Sequence, residues 1–279
     1  MSEENRVWSN GVLMPGNEVA LSPFDLGVAN GLGVFETLIA YQGITPTFDQ
    51  HYARLKTSAS VMELPVPVVS ELSDAIEAVI MANDLSDQRA RVRITLGAGR
   101  QTLQGDGDVQ DYLIVTAVHQ PEPLPMAELV LVPMRCNEHS AITGVKSTSY
   151  ANHLLAFRYA QKANADEAVM LNTSGQICEC SMSNLFVVRD EKVLTPPLSS
   201  GCLPGVTRGR VIEICQGIGI PVEEVTMSED VLFTSDEIFI TSSGREVQSA
   251  KMVDTSLPCP GGITSRIASA YRNAIQIKA

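Results

Sequence analysis

Residues 119–128, HQPEPLPMAE, carry Pro121, Pro123 and Pro125 at alternate positions. Each proline fixes its own φ and lacks an N–H, so the stretch joins neither a helix interior nor a sheet ladder. Alternating prolines favour an extended spacer. The chain is therefore expected to divide into an N-terminal α+β domain, residues 1–118, a proline-rich linker, 119–127, and a C-terminal domain, 128–279. A length of 279 residues is enough for two independent cores.

Hydrophobic patterning fills in both halves. Before the linker, GVFETLIAYQG and ARVRITLGAG read as strands around two helical stretches, FDQHYARLKTSASVME and VSELSDAIEAVIMAND. The second has a helical stripe at Leu72, Ile76, Val79 and Ile80. DYLIVTAV closes this half as a strand. After the linker, AELVLVPMRC reads as a strand and SYANHLLAFRYAQKA as a helix, with Ser147, Thr148 and Ser149 as candidate N-caps. DEAVMLN, ICECSMSNLFVVR and VLTPP form a strand meander, VTRGRVIEICQGIG a further helix, and IFITSSGREVQ a last strand and its turn. The class is α+β with mixed or antiparallel sheets.

Charge excludes several partners. The formal net charge of -12 repels nucleic acid and anionic membranes, so a phosphate or carboxylate ligand has to be held by local cations. No apolar run approaches the ~20 residues that span a bilayer. The N-terminus, MSEENRVWSNG, lacks signal-peptide character, which points to a cytoplasmic protein. The six cysteines, Cys136, Cys178, Cys180, Cys202, Cys215 and Cys259, form no C-x-x-C pair and have no histidines at zinc spacing, so free buried thiols and no metal are expected. Cys178 and Cys180, two apart in a strand, are expected on one face with Glu179 on the other.

Four features of the second half suit one chemistry. Lys146, in ITGVKSTSY, stands where a strand hands over to a helix; it is either a solvated loop lysine or a side chain aimed into a cleft. Glu179 is a carboxylate in an apolar strand, either facing water at an edge or buried against a cation. Gly201, Pro204 and Gly205 turn into a helix beginning near Val206 and Thr207, whose free N–H groups and dipole suit a phosphate. IFITSSGREV ends in Thr241, Ser242 and Ser243, which suit either an anion cradle or a plain turn. Arg54, in HYARL, reads most simply as a solvated helix arginine, and a nearby phosphate would give it a bidentate role. A lysine able to form a Schiff base, a carboxylate for a pyridine nitrogen and a phosphate cup together match pyridoxal phosphate.

The chain resembles the fold-type IV pyridoxal-phosphate enzymes, a family that includes branched-chain aminotransferases, D-amino acid aminotransferases and aminodeoxychorismate lyases. The resemblance runs from GLGVFETL and HYARL through GVKSTSY, ADEAVMLNTSGQICECSMSNLFVV and LTPPLSSGCLPGVTR to DEIFITSSGREV. It implies a small N-terminal α/β sandwich domain, a larger C-terminal mixed-sheet, barrel-like domain and a homodimer. By motif, Lys146 takes the place of the Schiff-base lysine and Glu179 that of the pyridine-nitrogen partner. Arg54, Val206, Thr207 and Ser243, with Ser242 beside it, take those of the phosphate-binding residues. Tyr150 falls one position before the tyrosine that branched-chain aminotransferases place near the cofactor, and Ala151 occupies the expected place.

GVFETL, AITGVK and SSGREV look more like the lyase branch, which releases pyruvate and 4-aminobenzoate; an aminotransferase for branched-chain or D-amino acids is the alternative. Either small-molecule substrate needs a carboxylate clamp, for which Arg91 and Arg93, on one face of their strand, and Arg245 are candidates. Phe35 matches a substrate-pocket aromatic of the aminotransferases or belongs to the core.

Overall fold

The structure is a computed structural model that describes residues 5–100, 111–253, 255 and 261–275; Cys259 lies outside them. The chain forms two compact units. The first is Met1–Pro121 with Val145–Ser149, the second Glu122–Gly144 with Tyr150–Ala279.

The first unit holds β1 (Arg6–Ser9), β2 (Val12–Pro15), α1 (Leu26–Ala29), β3 (Gly33–Tyr41), α2 (Phe48–Val61), α3 (Val69–Ala82), β4 (Arg89–Gly97) and β5 (Tyr112–His119). Its sheet runs β2-β1-β5-β4-β3 and every pairing is antiparallel. The stripe read in α3 is its buried face: Leu72, Ile76, Val79 and Ile80 are all enclosed. Edge strand β3 leaves backbone groups open, and Val145–Ser149 takes them. The Phe35 N–H donates to the Lys146 carbonyl at 2.8 Å and the Thr148 N–H to that of Gly33 at 2.8 Å. Sequence order places Lys146 in the C-terminal domain; these bonds group its segment with the first unit instead.

The second unit holds β6 (Met126–Cys136), α4 (Ala151–Lys162), β7 (Glu167–Asn172), β8 (Ile177–Cys180), β9 (Asn184–Arg189), β10 (Lys192–Thr195), α5 (Val206–Gly217), β11 (Val222–Glu224), α6 (Val231–Thr234), β12 (Glu237–Ser242), β13 (Glu246–Met252) and α7 (Gly262–Ile275). Its eight-stranded sheet, β11-β10-β9-β12-β13-β6-β7-β8, is mixed. The neighbours β10–β11, β13–β6 and β6–β7 are parallel and the rest antiparallel. Since β6 begins at Met126, the extended spacer is shorter than the sequence implies.

Two local expectations fail, each for a physical reason. Ser147, Thr148 and Ser149 do not cap α4. The Thr148 and Ser149 hydroxyls donate to the Gly31 carbonyl and Ser147 Oγ accepts the Ser149 N–H, so Tyr150 is the N-cap residue. Cys178 and Cys180 do not share a face. The β7–β8 register shifts between Met170 and Leu171, and a bulge resets the alternation. Cys180 packs with Ile177 in one core cluster while Cys178 packs with Cys136 and Cys202 in another.

Candidate active site

In the first unit the centre is Phe35 on β3, 5% exposed. The Lys146 ammonium lies 4.3 Å from its ring centroid and the Arg93 guanidinium 3.8 Å. Both cations are drawn to the negative face of the ring system. Arg93 reaches it from β4, where Phe35 pairs with Thr95 and the Arg93 Nε donates to the Thr95 hydroxyl at 3.2 Å. Arg91 shares that strand face and is exposed. Three candidates from separate segments thus meet, and Arg91 stays apart from them.

Next to Phe35 in sequence, Glu36 points to the opposite face of β3, where α2 covers it completely. Arg54 of α2 grips its carboxylate with two donors, Nε to Oε1 at 2.7 Å and Nη2 to Oε2 at 2.8 Å. His51 Nδ1 lies 2.7 Å from Oε2. Burial pushes the Glu36 carboxyl up, but Arg54 and His51 outweigh it and bring it down to about 2. Burial drives His51 the other way to a net lowering, with Arg54 and Lys146 adding repulsion. His51 is therefore neutral at pH 7 and its contact with Glu36 is a hydrogen bond from Nδ1–H. Sequence alone leaves Arg54 solvated unless a ligand holds it; instead a buried carboxylate fixes its fork. Glu36 and His51 escape the sequence analysis, although Glu36 breaks an apolar strand just as Glu179 does.

In the second unit Glu179, 7% exposed, is buried rather than facing water at an edge. Its Oε1 meets His153 Nε2 at 3.2 Å and its Oε2 accepts the Leu203 N–H at 2.9 Å. That second bond ties the carboxylate to the loop that opens α5. Gly205 is the N-cap residue there and contributes no side-chain cap. A Cβ on it would collide with Asn184 Oδ1, so the loop has to approach as bare backbone. Thr207 is buried in the first turn. Thr241, paired with Asn184 across β12 and β9, keeps a buried hydroxyl without a hydrogen-bond partner among the described residues. Ser242 Oγ accepts the Arg245 N–H at 3.2 Å, closing the turn on which Ser243 sits.

Two further candidates are engaged within this unit. The Tyr150 hydroxyl donates to the Ser181 carbonyl at 2.9 Å and its ring stacks on His153. Arg245 donates to the Asp166 carbonyl and to Gln248, and lies 3.6 Å from the buried Glu167. Those bonds direct its guanidinium into a structural network, whereas the sequence offers it as a carboxylate clamp. His153 also escapes the sequence analysis, because no spacing rule connects it to Cys136 and Glu179; the ligand-type atoms of the three lie within 4.8 Å of one another.

The donor set fits a cofactor with a ring nitrogen at one end and a phosphate at the other. A buried carboxylate with fixed oxygens suits a protonated ring nitrogen, and it is hydrogen-bonded to the same loop that delivers an uncapped helix N-terminus. Among the described residues no helix is long and apolar enough to cross a membrane.

Comparison with known proteins agrees with this chemistry. A family model described as amino-transferase class IV matches residues 33–253. An aminodeoxychorismate lyase from Bacillus subtilis (strain 168) is 31% identical, over 86% of this chain and 84% of the relative. A D-alanine aminotransferase from Bacillus licheniformis is 30% identical over 97% of each. The T.th. branched-chain amino acid aminotransferase, in its crystal structure with pyridoxamine 5'-phosphate, superposes with a TM-score of 0.87 at 27% identity, covering 99% of this chain and 95% of that one.

Proposed function

The chain belongs to the class IV aminotransferase family, and from that premise we propose that it is an aminodeoxychorismate lyase. The family is one of pyridoxal-phosphate enzymes, and the bound cofactor supplies an electron sink for charge that develops on the substrate carbon bearing nitrogen. Lys146 is the covalent anchor and the base that moves the proton at that carbon. Its ammonium shares the Phe35 ring with Arg93, and this one observation carries the reading. A base and a guanidinium held by one aromatic suit a substrate that carries both an amine and a carboxylate, as aminodeoxychorismate does.

Glu179 holds the ring nitrogen in its protonated state. Arg54, Thr207, Ser243 with Ser242 beside it, and the N–H groups at Val206 take the phosphate, with Glu36 fixing the Arg54 fork in advance. Arg93 is the substrate carboxylate clamp in this assignment, ahead of Arg91 and Arg245. In the lyase reading, proton removal is followed by loss of the enolpyruvyl group as pyruvate, leaving 4-aminobenzoate. GVFETL, AITGVK and SSGREV and the B. subtilis lyase support it. The second reading, amino transfer to a 2-oxo acid from a branched-chain or D-amino acid, is favoured by the likeness to the D-alanine and branched-chain enzymes. A homodimer in the cytoplasm, as the family resemblance implies, completes the proposal.

The deciding assay offers aminodeoxychorismate in one vessel and an amino acid panel with 2-oxoglutarate in another. Pyruvate with 4-aminobenzoate in the first vessel supports the lyase; glutamate formation in the second with no 4-aminobenzoate in the first overturns it in favour of the transaminase. Lys146→Ala should lower either activity by several orders of magnitude, since anchor and base are lost together.

A further inference from the structure

His153 sits in the first turn of α4 with its Nε2 3.2 Å from Glu179 Oε1. Its ring lies flat on Tyr150, centroids 4.5 Å apart and planes 12° apart, and the Tyr150 hydroxyl is in turn fixed by the Ser181 carbonyl. The ring is therefore held in place from two sides. The titratable groups facing it are Cys136 at the end of β6, Glu179 on β8 and Tyr150 itself, with the Cys178 thiol hydrogen-bonded to Cys136 behind them. We propose that His153 is a positioning residue: it shares the Glu179 carboxylate with the cofactor ring nitrogen and so sets how firmly that nitrogen keeps its proton. The inference rests on the reading that Glu179 faces the ring nitrogen.

Burial pushes the imidazole down, but hydrogen bonds to Cys136 and Glu179 outweigh it and hold it up at about 9. At neutral pH the ring is then an imidazolium, and the stacked Tyr150 adds a cation–π contact. One carboxylate serves three donors: the imidazolium on Oε1, the Leu203 N–H on Oε2, and the ring nitrogen. Each donor draws on the same negative charge, so a protonated ring nitrogen is stabilised less than it would be beside a carboxylate of its own. His153 thereby weakens the electron sink that Glu179 strengthens, and leaves its strength adjustable.

The test loads the protein with pyridoxal phosphate labelled with ¹⁵N in the ring and follows the ring-nitrogen chemical shift against pH. Wild type is compared with His153→Asn, His153→Lys and Glu179→Gln. His153→Asn keeps a donor and removes the charge, so its midpoint should rise by about 1 pH unit. His153→Lys keeps the charge without the ring and should restore the wild-type midpoint, which a merely structural role would not allow. A His153→Asn midpoint equal to wild type, with Glu179→Gln displaced, overturns the role of His153 alone. A ring-nitrogen shift unmoved in Glu179→Gln overturns the reading of Glu179 itself. A second measurement needs neither variant nor cofactor: in the wild-type apoprotein the His153 imidazole should be protonated at neutral pH by NMR, and a neutral ring there sinks the inference.

Discussion

The two units each bury a carboxylate against a histidine, and the two histidines end in opposite charge states. In the first, Glu36 draws His51 towards the charged form, but Arg54, which holds Glu36 with two donors, repels the ring and Lys146 adds to that repulsion. Burial then wins and the ring stays neutral. In the second, Glu179 receives a backbone N–H besides its histidine, and Cys136 adds a further partner to the ring. There the hydrogen bonds win and His153 is a cation. One residue pair gives two outcomes, and the supply of other cations decides which. The first arrangement preorganises an arginine; the second leaves a carboxylate that its histidine and a ligand would share.

The largest expected effect comes from removing the cation of the first cluster. Arg54→Ala leaves Glu36 buried without its partner, and breaking a buried pair in this way costs about 3–5 kcal/mol. Urea unfolding of the apoprotein measures it; a loss below about 1 kcal/mol would place the pair in the class of surface ion pairs and undo the comparison. Cofactor affinity should fall in the same variant by about 2–5 kcal/mol, as expected of the proposed role of Arg54 at the phosphate.

Acid should act on the first cluster. Glu36 is depressed from 4.5 to about 2, so its contribution is complete above the unfolded value and is lost as pH falls through that window. The shift corresponds to about 3 kcal/mol. His51, also depressed, has the same sign: its neutral ring stabilises above its ordinary value of 6.5, and that contribution is lost as pH falls below it. Glu36→Gln should flatten the fall in thermal stability between pH 4.5 and 2. A variant curve parallel to wild type over that interval contradicts the assignment.

Alkali should act on the second cluster, and less strongly, because His153 is partly exposed. Its value is raised from 6.5 to about 9, so the stabilisation is full below the unfolded value and lost as pH rises through the folded one. His153→Asn should remove that alkaline limb while leaving the acid limb in place. Loss of the acid limb instead would mean that the two clusters had been assigned the wrong way round.

Most strands and helices are legible in the sequence because their periodicity is undisturbed: the α3 stripe and the near-continuous apolar β3 run are two such cases. Lys146, Glu179 and Arg54 stand out as charged residues within motif-bearing segments. What stays hidden depends on long-range register. The bulge that separates Cys178 from Cys180 is invisible to an alternation rule. The hydroxyls of residues 147–149 look like helix caps because nothing local shows that Gly31, over a hundred residues earlier, takes two of them. In α4 the large residues Leu154, Leu155 and Tyr159 are exposed and Ala156 and Ala160 are buried, so side-chain size points to the wrong face. Glu36, His51 and His153 pass unnoticed because each gains its meaning from a partner on another element.

The most direct test of the account asks which lysine carries the cofactor. The holoenzyme is reduced with borohydride, digested, and its peptides mapped by mass spectrometry. The reduced pyridoxyl group is expected on Lys146, at one per chain, with no such label in Lys146→Ala. A stable label on Lys56, Lys162 or any other lysine, or none at all in a cofactor-loaded protein, would contradict it.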